Sequence, residues 1–266
     1  MKRGILLAAF GSGSFQGEST LRRFDRQVRE TFPGVSVRWA FTSMLMRERL
    51  ASARKKSDSV HKALKKMAFE KFTHVAVQPV HVIPGFEYGD ILADAEELRA
   101  AGTFSSLVVG APLLTEDPQS VERAASALLG ELPPDRLAGE PVLFMGHGSR
   151  HAAESRYEAL AEAVRRLDPL VFMGTLSGAI GLERLLDHLL ASGGRRVWLL
   201  PLLAVVGRHT LEDMAGSSED SWRSRLEAAG IACVPVLRGM MEYQGFMDIW
   251  VDNLEKAMRV WQEKGE

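Results

Sequence analysis

Residues 144–151 read Phe-Met-Gly-His-Gly-Ser-Arg-His, and this stretch comes directly after an apolar run. A glycine-bounded turn after a buried strand is typical of the strand-to-helix connections of α/β proteins. The stretch has a counterpart at residues 10–14, which read Phe-Gly-Ser-Gly-Ser. An offset of 135 residues aligns the two stretches and places Ser12 at the position of His147. The sequence therefore predicts that one strand–turn–helix plan occurs twice.

Further matches follow in the same order in both halves of the chain. The offset of 135 residues also aligns residues 48–50 with residues 183–185, and both triplets read Glu-Arg-Leu. A later offset of 122 residues aligns Pro79, Gly85 and Glu87 with Pro201, Gly207 and His209. Ordered self-similarity of this kind indicates a repeated structural unit. We interpret the chain as two similar lobes.

The pattern of apolar runs predicts the class of each lobe. Short apolar runs without internal alternation are separated by amphipathic helical patterns, which indicates α/β lobes with parallel sheets covered on both faces. Strands are predicted at residues 5–10, 35–41, 74–79, 107–110, 142–145, 171–175, 197–202 and 233–236. The Pro- and Gly-containing segment 133–140 interrupts this pattern and reads as a linker. The predicted lobes are residues 1–132 and 141–266.

Composition excludes several classes of protein. The 266 residues are 46% hydrophobic and 25% charged, with a formal net charge of −1, which is typical of a soluble globular protein and not of a nucleic-acid binder. Cys233 is the only cysteine, so an intrachain disulfide and a Cys-rich zinc site are excluded. Residues 1–10 imitate a short signal peptide but are better interpreted as a first strand. With no apolar run long enough to span a membrane, we expect a cytoplasmic protein.

The glycines around Ser12 do not specify a dinucleotide site. The Gly-x-Gly-x-x-Gly fingerprint lacks its third glycine, because Gln16 stands there. The sequence also contains no Walker A motif and no Gly-x-Ser-x-Gly nucleophile elbow. A tight strand-to-helix turn explains these glycines, and no organic cofactor is expected.

His147 and His209 are the candidates for metal chemistry. Each follows a predicted strand and a glycine, and ligands of open parallel sheets bind beyond the carboxyl ends of the strands. Two neutral imidazoles can hold a borderline divalent ion such as Co²⁺, Fe²⁺ or Zn²⁺. The structural alternative for His147 is that its ring caps the following helix or donates a hydrogen bond to a loop carbonyl. His151, one helical turn further on, is expected to support the metal site without binding the ion. The acidic segment 212–220 is interpreted as a solvated loop.

The position of Glu87 allows two interpretations. It lies at a predicted helix N-terminus, where a carboxylate favours the helix dipole by about 0.3–1 kcal/mol. The alternative is a carboxylate that faces a cation or accepts a proton in a ligand-binding cleft. The alignment with His209 predicts that Glu87 borders such a cleft, and the sequence leaves both interpretations open.

Together these segments resemble the anaerobic cobalt chelatases of the CbiK type, which insert Co²⁺ into sirohydrochlorin on the way to cobalamin. The resemblance runs nearly the full chain and is most specific in residues 207–216, which read Gly-Arg-His-Thr-Leu-Glu-Asp-Met-Ala-Gly. The other matching segments are residues 9–12, 41–43, 81–88, 145–151 and 219–222.

The resemblance implies a fold, a reaction and a set of site residues. The implied fold is two flavodoxin-like lobes, the chelatase-like fold, with an active-site cleft between them. His147 and His209 would bind the metal, with His147 and Glu87 as catalytic residues. Co²⁺ and sirohydrochlorin are the implied partners, Co²⁺ being the substrate metal, and a homo-oligomer is left open. The expected substrate contacts are Gly11, Ser12, Ser14, Arg150, Arg208 and Ser177; the two arginines stand beside the histidines and suit the many carboxylates of sirohydrochlorin.

This chain departs from the family pattern at two positions. Ser177, in the stretch Gly-Thr-Leu-Ser-Gly, stands where the family usually has a metal-ligating glutamate, and Met44 replaces an arginine. A neutral hydroxyl is a poorer ligand for a divalent ion, so the metal affinity or the metal choice is expected to differ. The alternatives to Co²⁺ insertion are Fe²⁺ insertion of the ferrochelatase type, or a non-catalytic protein that binds a tetrapyrrole or haem.

Overall fold

The computed structural model describes residues 1–55 and 57–263. The chain divides into two compact units. The first comprises Met1–Leu113 and the C-terminal stretch from Met247, and the second comprises Leu114–Phe246.

The first unit contains a parallel sheet with helices in the crossover connections. Within the described residues its sheet has four strands in the order β2-β1-β3-β4. The elements up to residue 109 are β1 Arg3–Ala9, α1 Phe15–Thr31, β2 Ser36–Phe41, α2 Met44–Ser52, α3 Val60–Phe69, β3 His74–Pro79, α4 Phe86–Ala100 and β4 Ser106–Val109. The central strand β1 is covered on both faces, since Ile5, Leu6, Leu7 and Ala8 are fully buried.

The second unit repeats this plan. Over the part of the chain that the structure describes, its sheet has four parallel strands in the order β6-β5-β7-β8. Its elements are α5 Pro118–Gly130, β5 Val142–Gly146, α6 Ser155–Leu167, β6 Val171–Thr175, α7 Leu182–Ala191, β7 Arg196–Leu202, α8 Trp222–Ala228 and β8 Ala232–Pro235, with 3₁₀ turns at Ala152–Glu154 and Met240–Glu242 and a π-helix at His209–Met214. The shared strand order is that of flavodoxin-like sheets, so the predicted fold class is confirmed.

The C-terminal helices are α9 Gln244–Met258 and α10 Val260–Glu263. From Met247 onward they belong to the first unit, whereas the sequence placed residues 141–266 in one C-terminal lobe. The reason is packing: Trp250 is fully buried, and its ring meets the ring of Phe24 edge to face at 6.3 Å. The predicted linker 133–140 lies inside the second unit, and residues 264–266 lie outside the described residues.

The sheet topology decides where chemistry can occur in each unit. Because all strands of a unit are parallel, the segments that follow their carboxyl ends emerge at one edge. In the first unit, Thr42 follows β2 and His81 follows β3. In the second unit, His147, Ser177 and His209 follow β5, β6 and β7.

Candidate functional site

His147 and His209 lie side by side at the carboxyl edge of the second sheet. Their ring centroids are 4.8 Å apart and the ring planes are inclined by 78°. Two imidazoles that share one tetrahedral ion at about 2.1 Å place their centroids roughly 5 Å apart. Both rings reach solvent, since His147 is exposed and 43% of the His209 side chain is accessible. The structure therefore brings together the two histidines that the repeat singled out.

Hydrogen bonds fix which ring nitrogen of each histidine is free. The Nδ1 atom of His147 lies 2.9 Å from the carbonyl oxygen of Gly148, and the Nδ1 atom of His209 lies 2.6 Å from a carboxylate oxygen of Asp213. A carbonyl and a carboxylate only accept hydrogen bonds, so Nδ1 must carry the proton in both rings. In the neutral imidazoles, Nε2 then carries the lone pair that can bind a metal ion or a proton.

Asp213 is a hydrogen-bond partner of His209 that the sequence analysis missed. The acidic segment 212–220 was expected to be a solvated loop, but its first part belongs to the π-helix His209–Met214. This helix places Asp213 four residues after His209 and within hydrogen-bonding distance of it. A carboxylate behind a histidine raises the basicity of the ring and holds its orientation. The His-x-x-x-Asp spacing was the available signal.

We expect Asp213→Ala to weaken the binding of Co²⁺ by about 10–100-fold, because the His209 ring loses its orienting partner. Isothermal calorimetry on the apo protein measures this. Asp220→Ala is the matched control, since it removes an exposed carboxylate from the same segment. Equal affinities in the two variants would show that Asp213 does not support the ion site.

Ser177 lies next to the His147 loop through the backbone. The Ser177 N–H donates to the carbonyl oxygen of His147 at 2.9 Å, and the Leu176 N–H donates to that of Gly146 at 3.0 Å. The Ser177 residue itself is exposed. Position 177, where the family usually has a glutamate, is thus hydrogen-bonded through its backbone to the loop that contains His147.

Glu154 is a second residue that the sequence analysis missed. Its buried carboxylate accepts hydrogen bonds from the Ser149 N–H at 2.7 Å, the Thr175 hydroxyl at 3.1 Å and the Ala179 N–H at 3.2 Å. One side chain thereby ties the loop after β5 to the loop after β6. The approach is close enough to require glycine at position 178, where an added Cβ would lie 1.7 Å from the Glu154 carboxylate.

Gly148 explains why glycine follows the first histidine. Its φ angle of +80° is in the left-handed region, and a Cβ there would lie 2.5 Å from the backbone nitrogen of Gly178. The glycine thus lets the two loops pack closely while the neighbouring imidazole reaches solvent. The sequence gave no signal that Glu154 joins these two loops, because this glutamate is not part of a recognisable motif.

The other predicted residues of the second unit have local partners. Arg208 donates from Nε to Glu212 at 2.7 Å, with both side chains well exposed. Arg150 is exposed. The Nδ1 atom of His151 accepts from the Ala153 N–H at 3.1 Å, so this histidine caps the 3₁₀ turn that leads to Glu154.

The predicted residues after β1 form a tight turn in the first unit. Gly11 has a φ angle of +109°, and Ser12 is buried. The Ser12 hydroxyl accepts from the Ser14 N–H at 3.2 Å, and the Ser14 hydroxyl accepts from the Gly17 N–H at 3.0 Å. Ser14 is therefore the N-cap of α1. These contacts account for both hydroxyls by local structure.

His81, which the sequence analysis did not single out, is the unusual group of the first unit. Its Nε2 atom lies 3.3 Å from the Thr42 hydroxyl, while its buried Nδ1 has no hydrogen-bond partner among the described residues. Burial lowers the pKa of His81 to about 4, and the charge of Glu87 opposes this shift. Glu87 is half-buried in the first turn of α4, as predicted.

Known proteins place the chain in a family. The family model described as cobalt chelatase (CbiK) matches residues 3–259. The chain belongs to the CbiK cobalt chelatase family. It is 62% identical over 257 residues to the sirohydrochlorin cobaltochelatase CbiKC of Nitratidesulfovibrio vulgaris, covering 97% of this chain and 91% of that relative. It is 31% identical over 266 residues to a sirohydrochlorin cobaltochelatase of Salmonella typhimurium, covering 99% of each.

A solved chelatase shares the fold of this cobalt chelatase. The structure of SirB from Bacillus subtilis with Fe³⁺ superposes with a TM-score of 0.66 at 14% identity, covering 99% of this chain and 98% of that one. At this level of identity the likeness establishes the shared fold. The resemblance inferred from the sequence motifs is confirmed by the family match.

Protein metal sites commonly combine His, Cys, Asp and Glu side chains. Among the described residues, no three or more His, Cys, Asp or Glu side chains are grouped so as to hold an ion. No helix in the described part of the chain has the length and apolar character to cross a membrane.

We expect His81 to make this chelatase sensitive to acid. Its pKa in the folded protein is about 4, below its ordinary value of 6.5, so between these values the unfolded chain binds more protons. The free energy of unfolding should therefore fall as the pH drops from about 6.5 to about 4, by about 3 kcal/mol from this group. Urea unfolding across this range should show a flatter dependence for His81→Asn. A His81→Asn curve parallel to that of the wild type would contradict a buried neutral imidazole, and His188→Asn, at an exposed position, is the control.

Proposed function

We propose that this cobalt chelatase inserts Co²⁺ into sirohydrochlorin, with His147 and His209 receiving the ion. The observation that carries the proposal is the pair of adjacent imidazoles, with ring centroids 4.8 Å apart, whose Nδ1 atoms are both hydrogen-bonded, which leaves the lone pair of each neutral ring on Nε2. The names of the two curated relatives support the same reaction. Cobalt is the substrate metal here, and neutral imidazole suits such a borderline divalent ion.

The reaction has a defined proton balance. Two pyrrole N–H bonds of the macrocycle break, their electron pairs form bonds to Co²⁺, and two protons leave. A histidine that binds the ion only through Nε2 can release it to the macrocycle without any covalent change. His147 and Glu87 are the proposed proton acceptors, because the imidazole has a free lone pair once the ion has left it and a carboxylate oxygen can accept a proton.

The remaining predicted residues are proposed to hold the macrocycle. Arg150 is exposed and Arg208 is paired with the exposed Glu212, so both can turn to substrate carboxylates. In the first unit, Gly11, Ser12 and Ser14 are proposed to contribute the surface of their turn, since their hydroxyls already serve the turn. Ser177 is proposed as a neutral contact near His147. We place the enzyme in the cytoplasm and in the synthesis of cobalamin.

An anaerobic insertion assay tests the function. The apo protein is supplied with sirohydrochlorin and Co²⁺, Fe²⁺ or Ni²⁺ in parallel, and formation of the metallated product is followed by absorbance. We expect a colourless protein that turns over with Co²⁺. Faster turnover with Fe²⁺ would favour the ferrochelatase-type alternative. A purified protein with a Soret band and no insertion activity would favour a non-catalytic tetrapyrrole- or haem-binding protein.

A further inference from the structure

The peptide group between Gly148 and Ser149 is hydrogen-bonded to a side chain on each side. Its N–H, which belongs to Ser149, donates to Oε2 of Glu154 at 2.7 Å. Its carbonyl oxygen, which belongs to Gly148, accepts from the Nδ1–H of His147 at 2.9 Å. Because a peptide group is planar and trans, its N–H and C=O point in opposite directions. A continuous chain of hydrogen bonds therefore joins the Glu154 carboxylate to the His147 ring through a single peptide.

The Glu154 carboxylate is held in place from its other side. The side chain is buried, and its Oε1 atom accepts from the Thr175 hydroxyl at 3.1 Å and from the Ala179 N–H at 3.2 Å. Glu154 also ends the 3₁₀ turn that the His151 ring caps. With donors on both oxygens, the carboxylate is fixed in an orientation that directs Oε2 to the Ser149 N–H.

His209 has a similar arrangement in a shorter form. The Asp213 carboxylate contacts the Nδ1 atom of His209 directly, at 2.6 Å. A carboxylate in this position fixes the tautomer of a metal-binding histidine and raises the basicity of its other ring nitrogen. In a chain of hydrogen bonds each bond polarises the next, so a carboxylate on the N–H of a peptide makes its carbonyl oxygen a stronger acceptor. Glu154 can therefore act on His147 as Asp213 acts on His209, with one peptide between them.

We propose that Glu154 is a positioning residue for His147. Acting through the peptide between Gly148 and Ser149, it keeps the proton of the neutral ring on Nδ1 and leaves the Nε2 lone pair for Co²⁺. The inference rests on the proposed function, in which His147 receives the ion. The carboxylate itself does not bind the ion, so its removal should change the state of the His147 ring even when no metal is present.

Nitrogen NMR of the apo protein, labelled with ¹⁵N in its histidines, tests this role, because the ring nitrogen shifts distinguish the Nδ1–H tautomer from the Nε2–H tautomer. The His147 signals are assigned by their loss in His147→Ala. At a pH where the rings are neutral, we expect the Nδ1–H tautomer at His147 in the wild type. Glu154→Gln, which keeps the size and removes the charge, should give a mixture of tautomers. It should also weaken Co²⁺ binding by roughly tenfold, as measured by calorimetry.

Thr175→Val is the matched control, since it removes another donor to the same carboxylate and leaves the Ser149 contact in place. It should change neither the tautomer of His147 nor the affinity for Co²⁺. Effects in Thr175→Val equal to those in Glu154→Gln would overturn the inference, because Glu154 would then act only by joining the two loops.

Two further outcomes are decisive. An Nε2–H tautomer at His147 in the wild type overturns the inference, and this measurement needs no folded Glu154→Gln. His147→Ala separates the inference from the function on which it rests. Unchanged Co²⁺ affinity in His147→Ala contradicts the proposed function itself. Weakened binding in His147→Ala, beside an unchanged tautomer and affinity in Glu154→Gln, contradicts only the role of Glu154.

Discussion

Replacing His209 by alanine is expected to lower the rate of Co²⁺ insertion by about two orders of magnitude, and replacing His147 should do the same. The two rings form one adjacent pair, so either one alone presents an incomplete site. Residues that act as a unit do not contribute additively, and the double variant should be little worse than either single variant. The rate is measured with sirohydrochlorin at limiting Co²⁺.

The fold should survive these changes. His147 is exposed and the His209 side chain is 43% accessible, so neither ring fills a core. Circular dichroism and thermal unfolding check this, with His188→Ala as the matched control at an exposed position of α7. Full activity of His209→Ala at limiting Co²⁺ would remove that residue from the metal site.

Ser177→Glu is expected to tighten the binding of Co²⁺ by about 1–3 kcal/mol, or roughly 5- to 150-fold, on the scale of a charge-assisted contact. The new carboxylate would restore the family's usual residue beside the His147 loop, to which position 177 is bonded through the backbone. Tighter binding of the resting ion should slow its transfer to the macrocycle, because it stabilises the ground state. Calorimetry measures the affinity and the insertion assay measures the transfer.

Two controls accompany this measurement. Ser52→Glu adds the same charge at an exposed position of α2 and should leave the affinity unchanged. In a His147→Ala background the gain from Ser177→Glu should shrink, since the ion loses its neighbouring ligand. Unchanged affinity in Ser177→Glu would mean that position 177 does not face the ion in this chain.

The strands were well predicted because their signal is local. The eight runs without internal alternation correspond to β1–β8 within one or two residues at each end, over the described part of the chain. The ordered repeat also predicted that both sheets have one topology, and they do. It predicted the neighbourhood of His147 and His209 as well, because parallel strands bring their carboxyl ends to one edge.

The features that were missed depend on contacts distant in sequence or on unusual local geometry. Nothing in the α9 sequence states which unit it packs against, and the contact of the buried Trp250 ring with Phe24 decides it. Asp213 reaches His209 through a π-helix, which periodicity does not reveal. The hydrogen bonds of Glu154 and His81 join loops that meet only in the folded chain. That the two units direct their site residues to one cleft stays a prediction from the sequence repeat.

The central claim is that His147 and His209 bind Co²⁺ directly through Nε2. X-ray absorption spectroscopy of the apo protein loaded with one equivalent of Co²⁺ tests it, because outer-shell scattering counts imidazole ligands. We expect two imidazoles in the wild type, one in His147→Ala or His209→Ala, and none in the double variant. A spectrum with no imidazole scattering in the wild type, or one unchanged in the double variant, would contradict the account.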